Sequence, residues 1–151
     1  RGKYYTSEGP KPLYSPTGLL NSFRLEGEKR EITLCEGVYD AIALLIIGFP
    51  NPLALLGDKL TDLHVKILRN LVPSTCYVCL DDWSRSANIA RLVKQRLSSL
   101  EETRIECTWG NLALEGKVDP ETFLVKNIRE DKVFKKMCEE NVSKILNKGK
   151  L

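Results

Sequence analysis

The sequence predicts an α/β domain with a mostly parallel central sheet and helices on both of its faces. Short β-favouring apolar runs recur at residues 32–35, 52–56, 75–80 and 104–108. Helix-patterned stretches lie in the three intervals between these runs, and most runs stop at glycine or acid, as at Glu36-Gly37, Gly57 and Asp81-Asp82. Strands alternating with helices of about 10 to 14 residues are the mark of βαβ units. Their crossovers are right-handed, so every strand's carboxyl end falls on one edge, where ligands of such sheets bind.

Each element has a local reason. Residues 1–27 are rich in Gly, Pro, Ser and Tyr, with Gly9-Pro10 and Ser15-Pro16-Thr17-Gly18. They read as turns and extended chain, an irregular segment leading into a core over residues 28–126. Residues 39–47 are almost wholly apolar, as a buried helix requires, and Gly48 is placed to stop it in the left-handed conformation. Thr61 is a good N-cap for a helix over 62–72, whose Leu63, Ile67, Leu68 and Leu71 share a face, and Pro73 closes it. Ile89, Leu92, Val93, Leu97 and Leu100 are at helical spacing within 87–100. Residues 127–151 form a separate C-terminal unit, an amphipathic helix over 129–148 with Val133, Phe134, Met137, Cys138, Ile145 and Leu146 on its apolar face. That helix packs either on this domain or on a neighbour in a larger parent protein.

The chain of 151 residues is long enough for a real core, and 42% hydrophobic with 28% charged residues is ordinary for a globular protein. No apolar stretch approaches the roughly 18 to 20 residues needed to cross a bilayer. No signal peptide is visible, and a cytoplasmic location with no membrane partner is expected. The first residue is Arg1, without an initiator Met, which reads as a piece of a larger protein. The five cysteines suit free thiols in a reducing compartment. Cys76-x-x-Cys79 invites a zinc or redox reading, but it lies within a strand pattern and no second pair follows at zinc spacing, so packing is the expectation. The net charge of +3 resides entirely in 127–151. A nucleic-acid surface on the core must therefore come from local clustering and metal ions.

The predicted topology brings Glu36, at the end of the first strand, and Asp81, at the end of the third, to the same edge. Carboxylates crowded there raise one another's pKa unless a cation lies between them. Oxygen ligands favour Mg²⁺ or Mn²⁺ over zinc, and magnesium takes one or two protein carboxylates while substrate phosphates complete its shell. A sparse acidic edge thus suits phosphoryl transfer. Asp40 is either a ligand or a favourable charge at a helix N-terminus, with capping preferred.

Several segments together carry a family resemblance. Leu34-Cys35-Glu36-Gly37-Val38-Tyr39-Asp40-Ala41 resembles the EGxxDA opening of Toprim domains, and Leu56-Gly57-Asp58-Lys59-Leu60-Thr61 resembles the LGxxLT segment of their primase branch. Cys79-Leu80-Asp81-Asp82 falls where the family has its DxD motif, and Val118-Asp119-Pro120-Glu121-Thr122-Phe123 resembles the later DPDEF segment. Upstream, Lys3-Tyr4-Tyr5-Thr6 and Leu13-Tyr14 are similar to the chain leading into a primase Toprim domain. The matches are collinear over roughly residues 3 to 124.

The resemblance implies a Rossmann-like Toprim fold and the catalytic core of a bacterial or phage-type DNA primase. It implies metal-dependent nucleotidyl transfer that makes RNA primers in DNA replication. It assigns Glu36 to metal binding or general acid/base work and Asp81 to the metal, making these two the catalytic residues; Asp82, Asp40, Asp119 and Glu121 complete the implied metal set, with Mg²⁺ or Mn²⁺ as cofactor. An ungapped alignment places Trp83 where DxD has its second aspartate. Either a one-residue deletion makes Asp81-Asp82 the pair, or Asp81 acts with Asp119 or Glu121. The implied partners are single-stranded DNA and nucleotides, with a replicative helicase or further domains of the parent protein. Lys59 and Arg85 are the expected nucleic-acid contacts, and Trp83 either stacks on a base or fills an apolar gap. The alternatives are DNA cleavage of the nuclease or topoisomerase type, and a nucleic-acid-binding module without chemistry.

Overall fold

A computed structural model describes residues 12–16, 30–105 and 119–148. The irregular segment expected over 1–27 lies outside these apart from 12–16, as do residues 106–108 of the expected fourth strand. Strands β1 (Glu31–Cys35), β2 (Pro52–Ala54), β3 (Thr75–Val78) and β4 (Glu102–Ile105) form one parallel sheet in the order β2-β1-β3-β4. Helices α1 (Val38–Ile47), α2 (Asp62–Leu71), α3 (Trp83–Arg96), α4 (Pro120–Glu130) and α5 (Lys132–Lys148) complete the described elements. The expected α/β class with a parallel sheet is the observed one.

Alternation along the strands separates two cores. Ile32, Leu34, Leu53, Cys76 and Val78 face α2 and α3, where Val65, Leu68, Ile89 and Val93 are buried. Cys35, Ala54 and Cys79 face the other way with Ala41 and Leu44 of α1. Cys76 and Cys79 therefore belong to opposite faces, and their thiols serve packing, as the sequence reading preferred. Helix α1 has apolar residues all round because it is covered twice: Ala41 and Leu44 meet the sheet, while Ala43, Ile46 and Ile47 meet Leu124, Ile128, Phe134 and Cys138 of α4 and α5. Tyr39 is the exception. Expected within a buried element, it is half-exposed.

The helix ends show which local signals govern. Thr61 Oγ1 accepts the His64 amide at 3.1 Å, and His64 Nδ1 accepts the Thr61 amide at 3.0 Å. The His64 proton is thereby placed on Nε2, which donates to the Pro12 carbonyl at 3.3 Å. A buried histidine thus ties residues 12–16 to the domain, where Tyr14 forms an antiparallel bridge with Ala54 beside β2. Gly48 closes α1 at φ +112°, its amide bonding Leu44 O at 3.0 Å. A Cβ there would stand 3.0 Å from Asn141 Nδ2, which donates to the Ile46 and Ile47 carbonyls and fastens α5 to the end of α1.

The helix expected over 129–148 is α5, and a further helix that the sequence reading lacked, α4, precedes it. Asp119 caps α4, Pro120 occupies its first turn, and Asp131 ends it while accepting the amides of Val133 and Phe134. Of the apolar face expected over 129–148, Phe134 and Cys138 pack inward, whereas Val133, Met137 and Leu146 are exposed. No helix among the described residues is long and apolar enough to cross a membrane.

Candidate functional site

The centre of the sheet's carboxyl edge is built from β1 and β3, which are neighbours. Glu36 follows the last residue of β1, and its carbonyl accepts the amides of Leu56 at 2.9 Å and Gly57 at 3.3 Å. The loop after β2 is thus held across the end of β1, with Asp58 and Lys59 exposed on it. β3 stops at Val78, earlier than the sequence reading of 75–80. Cys79 still bonds to Leu34 O at 2.8 Å, but the Leu80 amide turns to the buried Ser86 hydroxyl at 3.0 Å. This turn frees Asp81 and Asp82 from strand alternation and starts α3 at Trp83.

Asp82 then becomes the N-cap of α3, its Oδ1 accepting the Arg85 amide at 2.8 Å. Arg85 reaches back to both acids, with Nη1 3.6 Å from Glu36 Oε2 and Nε 3.6 Å from Asp82 Oδ2. Burial raises the Glu36 pKa, and the Asp81 carboxylate raises it further, by charge and by closeness sufficient for a shared proton; Arg85 opposes both. Glu36 Oε2 is buried with no hydrogen-bond partner among the described residues. A carboxylate oxygen in that condition is costly, and the Arg85 guanidinium 3.6 Å away offsets the cost by charge without reaching hydrogen-bond length.

A second acidic group adjoins the first. Asp40, nearly buried, accepts the Gly37 amide on Oδ2 at 3.3 Å and the Glu121 amide on Oδ1 at 3.4 Å. It acts as the cap residue that the sequence reading preferred, and it also joins α1 to α4. Burial, then the charges of Asp119 and Asp81, push its pKa up to about 7, against the lowering effect of those two amide bonds. Asp119 spends Oδ1 on the Thr122 amide at 2.7 Å. Glu121 lies in the first turn of α4. Behind Glu36, the Cys35 thiol is held well above its ordinary pKa by burial and by the charges of Asp40, Cys79 and Glu36, so it remains protonated.

Six carboxylates were candidate metal ligands, and the fold does not gather them into one cluster. Among the described residues, no group of three or more acids, histidines or cysteines is arranged to hold a metal ion. Glu36 and Asp81 form a close pair; Asp82 is turned to its cap; Asp119 is near enough to raise the Asp40 pKa, and Glu121 meets Asp40 through its backbone amide. Arg85 is at the acidic pair, whereas Lys59 is exposed on the adjoining loop. Sequence reasoning missed Ser86 and the start of α3. The signal was available in Asp82-x-x-Arg85, since an aspartate before an exposed turn is an N-cap pattern.

The fold and site define an α/β domain with an acidic carboxyl edge on its two central strands. The family model described as Toprim-like matches residues 33–124, and the chain belongs to that family. It is 30% identical over 128 residues to a DNA primase of Campylobacter jejuni subsp. jejuni, across 82% of this chain and 20% of the primase. The chain therefore spans about a fifth of the length of that curated relative. No solved structure matches it.

Proposed function

We propose that the chain is the Toprim core of a cytoplasmic, primase-like nucleotidyltransferase that makes RNA primers on single-stranded DNA. The observation that carries this reading is the Glu36–Asp81 pair, with a buried Glu36 oxygen lacking a hydrogen-bond partner among the described residues. The similarity to a DNA primase supports the choice among Toprim chemistries.

The donor set fits Mg²⁺ or Mn²⁺. It offers hard oxygens only, and one or two carboxylates suffice for magnesium when waters and phosphates fill the remaining positions. Glu36 and Asp81 would hold the ion, with Asp40, Asp119 and Glu121 adding negative potential from the side. The ion supplies charge neutralisation for the triphosphate and for the attacking 3′ hydroxyl. Glu36, with its raised pKa, takes the hydroxyl proton when ionised. Asp82 holds the start of α3 in place, and Arg85 exchanges its long contacts with Glu36 and Asp82 for a phosphate oxygen. Lys59 provides a second backbone contact from the loop over β1. A replicative helicase and further domains of a parent protein are the proposed partners.

Primer synthesis from labelled ribonucleotides on single-stranded DNA tests the reading. Glu36→Gln and Asp81→Asn are each expected to lower the rate by about 100-fold or more, because removing one electrostatic stabiliser typically costs that much. Unchanged activity in both variants, with folding verified by circular dichroism, refutes it. A second reading is favoured by the Asp82 cap and the Arg85–Glu36 contact: a nucleic-acid-binding module without chemistry. DNA binding with neither metal uptake nor primer synthesis selects that reading, and nicking of supercoiled plasmid without synthesis selects DNA cleavage.

A further inference from the structure

Trp83 is left over by the site as described. It is 60% exposed, so it fills no gap in the core, and it is the largest of the exposed apolar side chains. Nothing in the local structure requires tryptophan there. The cap is Asp82, the hydroxyl that holds the turn is Ser86, and the helix is buried through Ser86, Ile89, Ala90 and Val93. The indole therefore presents most of its surface to solvent at the start of α3.

Its surroundings point to the ligand. Trp83 opens α3 between the Asp82 cap and Arg85. The Arg85 guanidinium stands 3.6 Å from each of two carboxylates, beyond hydrogen-bond length, and its side chain is 35% exposed, so donors remain for an incoming phosphate. Lys59 is exposed on the loop fixed over the end of β1. Trp83, Arg85 and Lys59 are all at the carboxyl edge of the sheet, and an exposed aromatic with cations at one edge suits single-stranded nucleic acid, because every unpaired base has a face to stack and every linkage carries a charge. Paired bases are hidden within the duplex stack and offer no such face.

We infer that Trp83 is a base-stacking platform for single-stranded nucleic acid, beside phosphate contacts made by Arg85 and Lys59. The inference rests on the proposed nucleic-acid site at this edge and deepens it. It does not require the chemistry to be nucleotidyl transfer.

The chain contains two tryptophans, so Trp109→Phe leaves Trp83 as the sole indole reporter. That protein is titrated, in Mg²⁺, with an oligo-dT strand, an abasic strand of equal length and a duplex of equal length. Trp83 fluorescence is expected to be quenched by oligo-dT and far less by the other two. In the wild-type background, Trp83→Ala is expected to weaken oligo-dT binding about tenfold, Trp83→Phe to retain most of the affinity, and the abasic strand to bind wild type and Trp83→Ala alike. Equal oligo-dT affinity for wild type and Trp83→Ala overturns the inference, as does an abasic strand bound by wild type as tightly as oligo-dT. A lower melting temperature in Trp83→Ala without loss of affinity assigns the residue to packing and also overturns it. Quenching and tenfold weakening in a protein that makes no primers leave the inference standing while the primase reading fails. Primer synthesis with Trp83-independent DNA affinity does the reverse, and absence of any DNA binding refutes both.

Discussion

Replacing Asp40 with Asn should stabilise the protein at pH 8 and destabilise it at pH 4. In the fold, Asp40 titrates at about 7 instead of 3.8, because it is nearly buried and faces the charges of Asp119 and Asp81. The folded state therefore binds a proton over a range where the unfolded chain has released it. Stability from this group is complete below about pH 4, declines as pH rises toward 7, and is level above that. A shift of this size corresponds to roughly 4 kcal/mol, at about 1.4 kcal/mol per unit. Asparagine is neutral throughout, but its amide cannot accept both backbone amides that Asp40 accepts, from Gly37 and Glu121. Losing one such bond costs about 1 to 2 kcal/mol. The expected net change for Asp40→Asn is a gain of about 2 to 3 kcal/mol at pH 8 and a loss of about 1 to 2 kcal/mol at pH 4. Urea unfolding of both proteins between pH 4 and 8, in the presence of EDTA, measures the difference directly. A difference that does not vary with pH would refute the placing of Asp40 as a buried acid between two others.

Two further outcomes follow from neighbouring features. Arg85→Gln removes a cation that lowers the Glu36 pKa, so the Glu36 titration, followed by carboxyl carbon NMR, should move up; the lost partly exposed ion pairs should cost only about 0.5 kcal/mol. A downward or absent displacement would remove Arg85 from the acidic pair. Val72 is an exposed β-branched residue at φ 51°, capping α2 in the left-handed conformation before Pro73. Val72→Gly should raise stability by about 1 kcal/mol in thermal unfolding, since glycine adopts that conformation without the Cβ clash; a loss of stability would contradict the backbone geometry there.

The sheet was legible in the sequence because strands and helices carry different periods, and Glu36 was placed correctly by the stop at Glu36-Gly37. The boundaries that failed share one cause: polar residues with short-range backbone bonds override apolar pattern. The reading of β3 as 75–80 followed the apolar run through Cys79 and Leu80, both of which are buried although outside the strand. The deciding bond, from the Leu80 amide to Ser86, spans a turn that no periodicity records. Likewise Leu55 is buried after β2 has ended at Ala54, and Leu56 takes φ 60° to bring its amide to Glu36 O. Asp119-Pro120-Glu121 had been read for its chemistry, yet cap, proline and first-turn acid together form a helix start, and they produce α4. Asp131 divides α4 from α5 by the same means. The meeting of Glu36 and Asp81 was legible from the topology, whereas the turning of Asp82 to its cap and of Asp40 toward α4 was not, since it depends on how far each loop turns after its strand.

The central position of β1 has a consequence for how the chain reaches this state. Its partners, β2 and β3, both come later in sequence, and each arrives only after a complete helix has intervened. Parallel pairing offers no hairpin from which to begin, so loop entropy is lost before any ladder bond repays it. Helices α1 and α2 can form locally within microseconds, whereas β1, with Ile32, Leu34 and Cys35 unshielded on both faces, must wait for Thr75–Val78 to be available. The sequence separation of these pairings places the domain among the slower-folding small proteins. During synthesis, the strand that leads into Glu36 remains unpaired on one side until about forty further residues have emerged.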